Sequence, residues 1–177
     1  MLKLNLGCGD DYKEGFVNVD KDPAIKTDLV HDVSERMPFK DNSVDEIQCF
    51  NILEHLSNFV EVMFDLYRVL KEGGILIISV PEFPCRACVG DPTHQKLFIM
   101  ETFFMFCHPE VFKASNFIGA GMFDVEDARR IFWDYEDGRK PGSYYTEIRI
   151  TLKKVSPDYW KTEREKRLIF KEGILKR

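Results

Sequence analysis

Short apolar runs alternate with helix-like stretches along the first half of the chain. Leu2–Leu6 reads as a strand closed by Gly7-Cys8-Gly9, Phe16–Val19 as a second closed by Asp20, Thr27–His31 as a weaker third, and Ser43–Phe50 as a fourth. Phe59, Met63, Leu66 and Leu70 recur at helical spacing and predict a helix over Phe59–Lys71. Asn58 with Glu61 three residues on looks like a capping box, and Gly73-Gly74 is the expected stop. Ile75–Val80 then runs nearly continuously apolar up to Pro81, as expected of a central strand covered on both faces. Strands alternating with helices predict an α/β domain with a parallel sheet.

Beyond Pro81 the pattern loosens. Residues 82–93 hold two prolines, two cysteines and a glycine, and read as a loop. Short helical stretches are expected at Met100–Phe106 and Glu110–Ser115, and strands at Phe123–Trp133 and Tyr144–Val155, joined by a hairpin-type turn at 137–142. The expected organisation is one domain over 1–155, with an insert at 82–118 on its substrate side and a tail at 156–177.

The 177 residues carry 25 basic and 30 acidic side chains, a net charge of −5, which argues against a nucleic-acid backbone as main partner. The tail is the exception, with seven Lys or Arg against four Asp or Glu. No apolar run is long enough to span a bilayer and the first residues lack the features of a signal peptide, so no membrane association and a cytoplasmic location are expected. Five irregularly spaced cysteines do not form a disulfide framework.

A strand ending in Gly-x-Gly exposes backbone N–H groups to a close ligand, and an acid at the end of the next strand sits where a ribose diol would lie. Further motifs follow in order: His31-Asp-Val33, Met37-Pro-Phe-Lys-Asp-Asn-Ser-Val-Asp45, Asn51-Ile-Leu-Glu-His-Leu56, Tyr67-Arg-Val-Leu-Lys-Glu-Gly-Gly74 and Ile78-Ser-Val-Pro81. With Leu4-Asn-Leu-Gly-Cys-Gly-Asp10 and Val17-Asn-Val-Asp20, this series resembles the class I S-adenosylmethionine-dependent methyltransferases, nearest to the type 11 small-molecule enzymes.

The resemblance implies a Rossmann-like, doubly wound, mainly parallel sheet with one antiparallel strand near the C-terminus. It implies S-adenosylmethionine as cofactor, a small-molecule methyl acceptor, and methylation at oxygen or nitrogen; a homodimer is left open. By position it assigns Leu6, Gly7, Cys8 and Gly9, with Asn5 before them, to the cofactor's amino-acid end. Asp20 falls to the ribose, Asp32 and Val33 to adenine, and Asn51 and Ile52 to the floor beside the sulfonium.

This chain departs from the family at three places. Asn5 stands where an acid is usual, and Asp11 where a third glycine is common. Only six residues separate Asp10 from Val17, too few for the usual first crossover helix, so a loop is expected there; an N-terminal lid is also not expected. These departures support a rival reading, a catalytically silent binding or scaffold protein. A nicotinamide-dependent oxidoreductase is excluded because the glycine pattern is not G-x-G-x-x-G.

An oxygen acceptor needs a base, and His55 and His94, the latter with Asp91, are the candidate catalytic residues. The spacing Cys85-x-x-Cys88 fits a zinc knuckle, but Cys107-His108 is a poorly spaced second pair and a reduced thiol pair with no metal is expected. Pro84-Cys85 resembles the nucleophile of cytosine C5-methylating enzymes but follows the wrong strand, and the Asn/Asp-Pro-Pro-aromatic motif of amino-methylating enzymes is absent.

Overall fold

Side chains two apart along a strand share a face, and cross-strand partners lie on the same face. The computed structural model describes residues 1–107, 121–133, 145–156 and 158–160, with backbone alone at 133 and 145. Its seven-stranded sheet comprises β1 (Lys3–Leu6), β2 (Val17–Asp20), β3 (Leu29–Val30), β4 (Val44–Phe50), β5 (Leu70–Pro81), β6 (Phe123–Trp133) and β7 (Tyr145–Lys154). The order is β3-β2-β1-β4-β5-β7-β6, wound outward from β1 in both directions. Strands β1 to β5 pair in parallel, and β7 runs antiparallel to both of its neighbours. It is the one reversed strand, as expected.

Register separates the two faces. Leu6, Cys49, Ile78 and Ile150 form one cross-strand row, and Leu4, Ile47, Leu76 and Leu152 another. All are fully buried and join the core with Phe59, Val62, Met63, Leu66 and Val69 of α1 (Phe59–Val69). The alternate rows are Lys3, Glu46, Ile75 and Lys153, and Asn5, Gln48, Ile77 and Thr151. None of these eight belongs to the core cluster, and Ile75 and Ile77 stay partly exposed. The expectation of a central strand covered on both faces is therefore corrected: β5 is central, but only its Leu76–Ile78–Val80 side enters the core.

Local signals were met with shifts. The helix ends at Val69 rather than Lys71, and the strand begins at Leu70. The Gly73-Gly74 pair falls at the register shift that separates the Val44–Leu70 and Glu46–Ile75 pairings, with Gly73 at φ 76°. Asn58 does not cap α1. Its amide instead donates to the Ser34 carbonyl at 2.8 Å. Buried Lys154 donates to the carbonyls of Tyr67 and Leu70 at the helix's C-terminal end, each at 2.7 Å, where a cation meets the negative end of the helix dipole. Residues 7–16 form the expected loop.

Within the stretch read as a loop, Arg86–Gly90 forms a short helix, α2, and Met100–Phe104 forms α3 at the expected place. Phe98, Phe103 and Phe106 all pack edge-on against Phe59, which explains the phenylalanine-rich insert as core. The expected helix at 110–115, the turn at 137–142 and residues 161–177 of the tail lie outside the described residues. Where the tail begins, Tyr159 donates to Asp124 at 2.5 Å and the Trp160 indole to the Gly121 carbonyl at 2.9 Å, so it packs onto the domain. At the sheet's ends, β3 has two residues, while β6 carries exposed Glu126, Asp127, Arg129 and Arg130 beside a register shift between Val125 and Asp127. Among the described residues no helix is long and apolar enough to cross a membrane.

Candidate active site

Four parallel strands end side by side, and the residues that follow β1, β2, β3 and β4 meet along that carboxyl edge, where open α/β sheets bind ligands. The glycine turn after β1 is held by β2. Cys8 N–H donates to the Val19 carbonyl at 3.1 Å and Gly9 N–H to Asp20 Oδ2 at 3.0 Å. Gly7 has φ 62°, and a Cβ there would lie 2.7 Å from the Ile52 side chain; Gly9 has φ 47° and nothing within 4 Å of its Cβ position. One glycine is thus required by packing, while the other leaves open space beside Asp20. Burial pushes the Cys8 thiol up, so it stays protonated at neutral pH.

Asp20 also accepts from Asp22 N–H at 3.0 Å, and its carbonyl accepts from His31 N–H at 2.9 Å, tying the ends of β2 and β3 together. Asp32 accepts from Ser34 N–H at 2.8 Å, and hydrogen bonds from Ser34 hold its carboxyl below the usual range. Leu6 and Val33 are core residues whose side chains are buried, leaving their backbone as the part that can meet a ligand. Asn5 is buried under the shortened crossover. Its amide donates to the Asp11 carbonyl at 2.7 Å and to Asn18 Oδ1 at 3.0 Å, and its Oδ1 accepts from Lys13 at 3.4 Å. The polar groups of Asn5 brace the loop that stands in place of a helix.

Across Ile52 the second half begins. Asn51 sits at φ 51°, a left-handed conformation that asparagine tolerates better than most residues, and its N–H donates to the Ser79 carbonyl at 2.9 Å. The chain then makes a single 3-10 turn, Leu53–His55. The Glu54 carbonyl accepts from Gln95 and Lys96 N–H at 2.8 and 3.1 Å, fastening the insert over the turn. A cavity of about 570 Å³ lies between them, lined by Asn51, Glu54, His55, Pro81, Asp91 and His94 among others.

The structure brings His55, His94 and Asp91 together although nearly forty residues lie between the first two. The imidazole rings are 4.7 Å apart, edge to face. His55 Nδ1 lies 3.0 Å from the Thr93 hydroxyl, which donates to Asp91 Oδ1 at 2.6 Å. His94 Nδ1 lies 3.2 Å from the Cys88 carbonyl, and its Nε2 is 3.8 Å from Asp91 Oδ2. Hydrogen bonds from Thr93 hold the Asp91 carboxyl below its usual range. Sequence reasoning missed Thr93, which stands between the candidates Asp91 and His94, and Glu54, which stands inside the Asn51–Leu56 motif. Glu54 is 2% exposed and its Oε2 has no hydrogen-bond partner among the described residues; burial, with the charges of Asp91 and Glu147, raises its carboxyl to about 7. Cys85 and Cys88 are free, buried thiols that face each other, and burial pushes Cys88 up to about 12. His108 lies outside the described residues.

Residues 4–78 match the family described as methyltransferase domain. Over 95 residues the chain is 32% identical to a probable S-adenosylmethionine-dependent methyltransferase of Mycolicibacterium smegmatis, which covers 44% of this chain and 37% of that protein. The chain thus spans well under half the length of that curated relative. A Bacillus halodurans protein assigned as a methyltransferase superposes with a TM-score of 0.63 at 15% identity, covering 87% of this chain and 92% of that one. The Burkholderia thailandensis 1,6-didemethyltoxoflavin-N1-methyltransferase, crystallised with 1,6-didemethyltoxoflavin and S-adenosylhomocysteine, superposes at 0.56 with 15% identity, covering 88% and 71%. At such identities the superpositions speak for the fold, and the sequence match for the motifs. Over residues 4–78 the chain is thus similar in sequence to S-adenosylmethionine-dependent methyltransferases, and its fold is theirs.

Proposed function

We propose that this chain transfers a methyl group from S-adenosylmethionine to a small molecule, at oxygen or nitrogen, in the cavity between the 3-10 turn and the insert. The observation that carries the reading is the Asn51-Ile52 pair. Ile52 covers Gly7 of the glycine turn while Asn51 lines the cavity, so a donor seated on one side would adjoin an acceptor on the other. The residues fit the cofactor: Gly9 leaves room beside Asp20, whose carboxylate keeps lone pairs for a ribose diol, and Asp32 stays ionised for an adenine amine. Bound there, S-adenosylmethionine supplies an electrophilic methyl group for in-line displacement.

The chain's own residues then position and activate the acceptor. Holding a nucleophile in line contributes much of the acceleration in such a displacement. In the ion-free cavity the base is His55. Asp91 accepts the Thr93 hydrogen, Thr93 accepts the His55 Nδ1 hydrogen, and His55 Nε2 keeps a lone pair for the acceptor's proton. His94 is oriented in the same way by the Cys88 carbonyl. The cavity volume suits a small molecule, and the acidic net charge of the whole chain opposes a nucleic-acid acceptor.

Calorimetric titration with S-adenosylmethionine and S-adenosylhomocysteine tests this reading. One saturable site per chain is expected, with Asp20→Ala weakening it. Silence with both ligands at millimolar concentration would leave a scaffold that keeps the fold without the activity, a reading to which the internally committed Asn5 lends its support.

A further inference from the structure

Both histidines of the cavity have one ring nitrogen committed to hydrogen bonding. Asp91 is ionised and can only accept, so the Thr93 hydroxyl spends its hydrogen on Asp91 and must accept from His55 Nδ1–H. The Cys88 carbonyl likewise can only accept, so His94 Nδ1 carries a hydrogen. Each neutral ring is left with its lone pair on Nε2. This is the arrangement of metal-ligating histidines, whose other nitrogen donates to a carbonyl or, here through a hydroxyl, to a carboxylate.

The third member of the cluster is Glu54. Its side chain is buried, and Oε2 meets no donor among the described residues. A buried acceptor without a donor is rare enough in folded proteins to call for a ligand. One ligand atom each from Glu54, His55 and His94 lie within 4.8 Å of one another. Asp91, beside His94, adds negative charge and no hydrogen. Candidate ligand atoms from two segments of the chain therefore gather within reach of one cation.

We infer that Glu54, His55 and His94 form a binding site for one divalent cation of the imidazole-preferring series, such as zinc, cobalt or nickel. Two imidazoles and a carboxylate suit these ions better than calcium, which takes oxygen ligands. Three protein ligands leave a coordination position open to the cavity, as in catalytic rather than structural zinc sites, and an acceptor oxygen could take it. The site is distinct from the Cys85–Cys88 pair, whose free thiols face each other and are not among the three ligands. The inference rests on the cavity alone and does not require the cofactor, so it stands or falls separately from methyl transfer.

The full-length chain, stripped with a chelator and desalted, is titrated calorimetrically with zinc and, by absorption spectroscopy, with cobalt. One cation per chain and a cobalt spectrum of nitrogen and oxygen ligation are expected. Thr93→Val, which releases His55 Nδ1, should weaken binding by about tenfold to a hundredfold. Glu54→Gln and His94→Ala should weaken it further while leaving S-adenosylhomocysteine affinity unchanged. Should Glu54→Gln fail to fold by circular dichroism, His94→Ala carries the test. The double variant Cys85→Ser, Cys88→Ser should bind as the parent does. No binding by the parent chain overturns the proposal, as does loss of binding in the cysteine variant alone, which would place the cation on the thiols.

Discussion

The two halves of the carboxyl edge are built on opposite principles. On the cofactor side Asp20 and Asp32 already accept backbone N–H groups, and the turn between β1 and β2 is held whether or not a ligand is present. On the acceptor side the buried Glu54 Oε2 meets no donor among the described residues, and two imidazoles line the cavity. One half is a preformed cradle in which Asn5, Asp20 and Asp32 already have partners, although the neighbouring His31 Nε2 meets none among the described residues. The other holds a buried carboxyl that a proton or a ligand must relieve, the kind of perturbed group that gathers at functional sites.

The largest effect expected from breaking this contrast is on stability. Glu54 binds its proton more tightly in the folded chain, with its carboxyl raised from 4.5 to about 7. Between those values the folded state holds more protons than the unfolded state, so stability falls as pH rises through the window and levels off above it. A shift of that size corresponds to about 3 kcal/mol. Urea unfolding of metal-free protein at about pH 5 and about pH 8, compared with Glu54→Gln, should show the variant losing that dependence. Identical pH profiles would mean the carboxyl is solvated and the contrast is false.

Next in size is His55→Ala. Removing the oriented imidazole should cut turnover about a hundredfold once an acceptor is identified, with cofactor affinity unchanged. Loss confined to His94→Ala would move the role to the insert, and full activity in both would leave positioning alone to account for the rate.

Asp20→Ala probes the opposite half and sharpens the comparison. It removes the carboxylate that anchors both Gly9 and Asp22 N–H groups. Cofactor affinity should fall about tenfold, and the unliganded melting temperature should fall as well, by the equivalent of roughly 1 to 2 kcal/mol. Calorimetry and thermal melting read the two effects separately. An unchanged melting temperature would mean the turn does not depend on this anchor, and unchanged affinity would place the ribose elsewhere.

The same contrast governs how much the sequence could show. The cofactor half is local: the glycine turn, Asp20 and Asp32 each follow a strand, and hydrophobic period with turn chemistry locates them. The acceptor half joins residues 51–55 to 88–96, and no local pattern states that Glu54 holds Gln95 and Lys96 or that Thr93 stands between His55 and Asp91. Apolar composition at 75–80 also misled, because Ile75 and Ile77 suit a strand by β-propensity without being part of the core. Asn58 was misjudged for a similar reason. A side-chain amide satisfies whichever carbonyl tertiary structure brings near, and here that is Ser34 rather than its own helix.

The outermost strands of the sheet bear on how copies of this chain can meet. An unpaired strand edge is a template on which another strand can add. Here β3 offers only two residues, and β6 presents a run of charges beside a break in register. An antiparallel pair of β6 strands centred on Ala128 would set Glu126 and Asp127 against Arg130 and Arg129, so the obstacle to pairing is the break in register, which would put the hydrogen bonds out of step. The two-residue β3 and the register break in β6 therefore both shorten the backbone ladder that a second copy of this chain could extend.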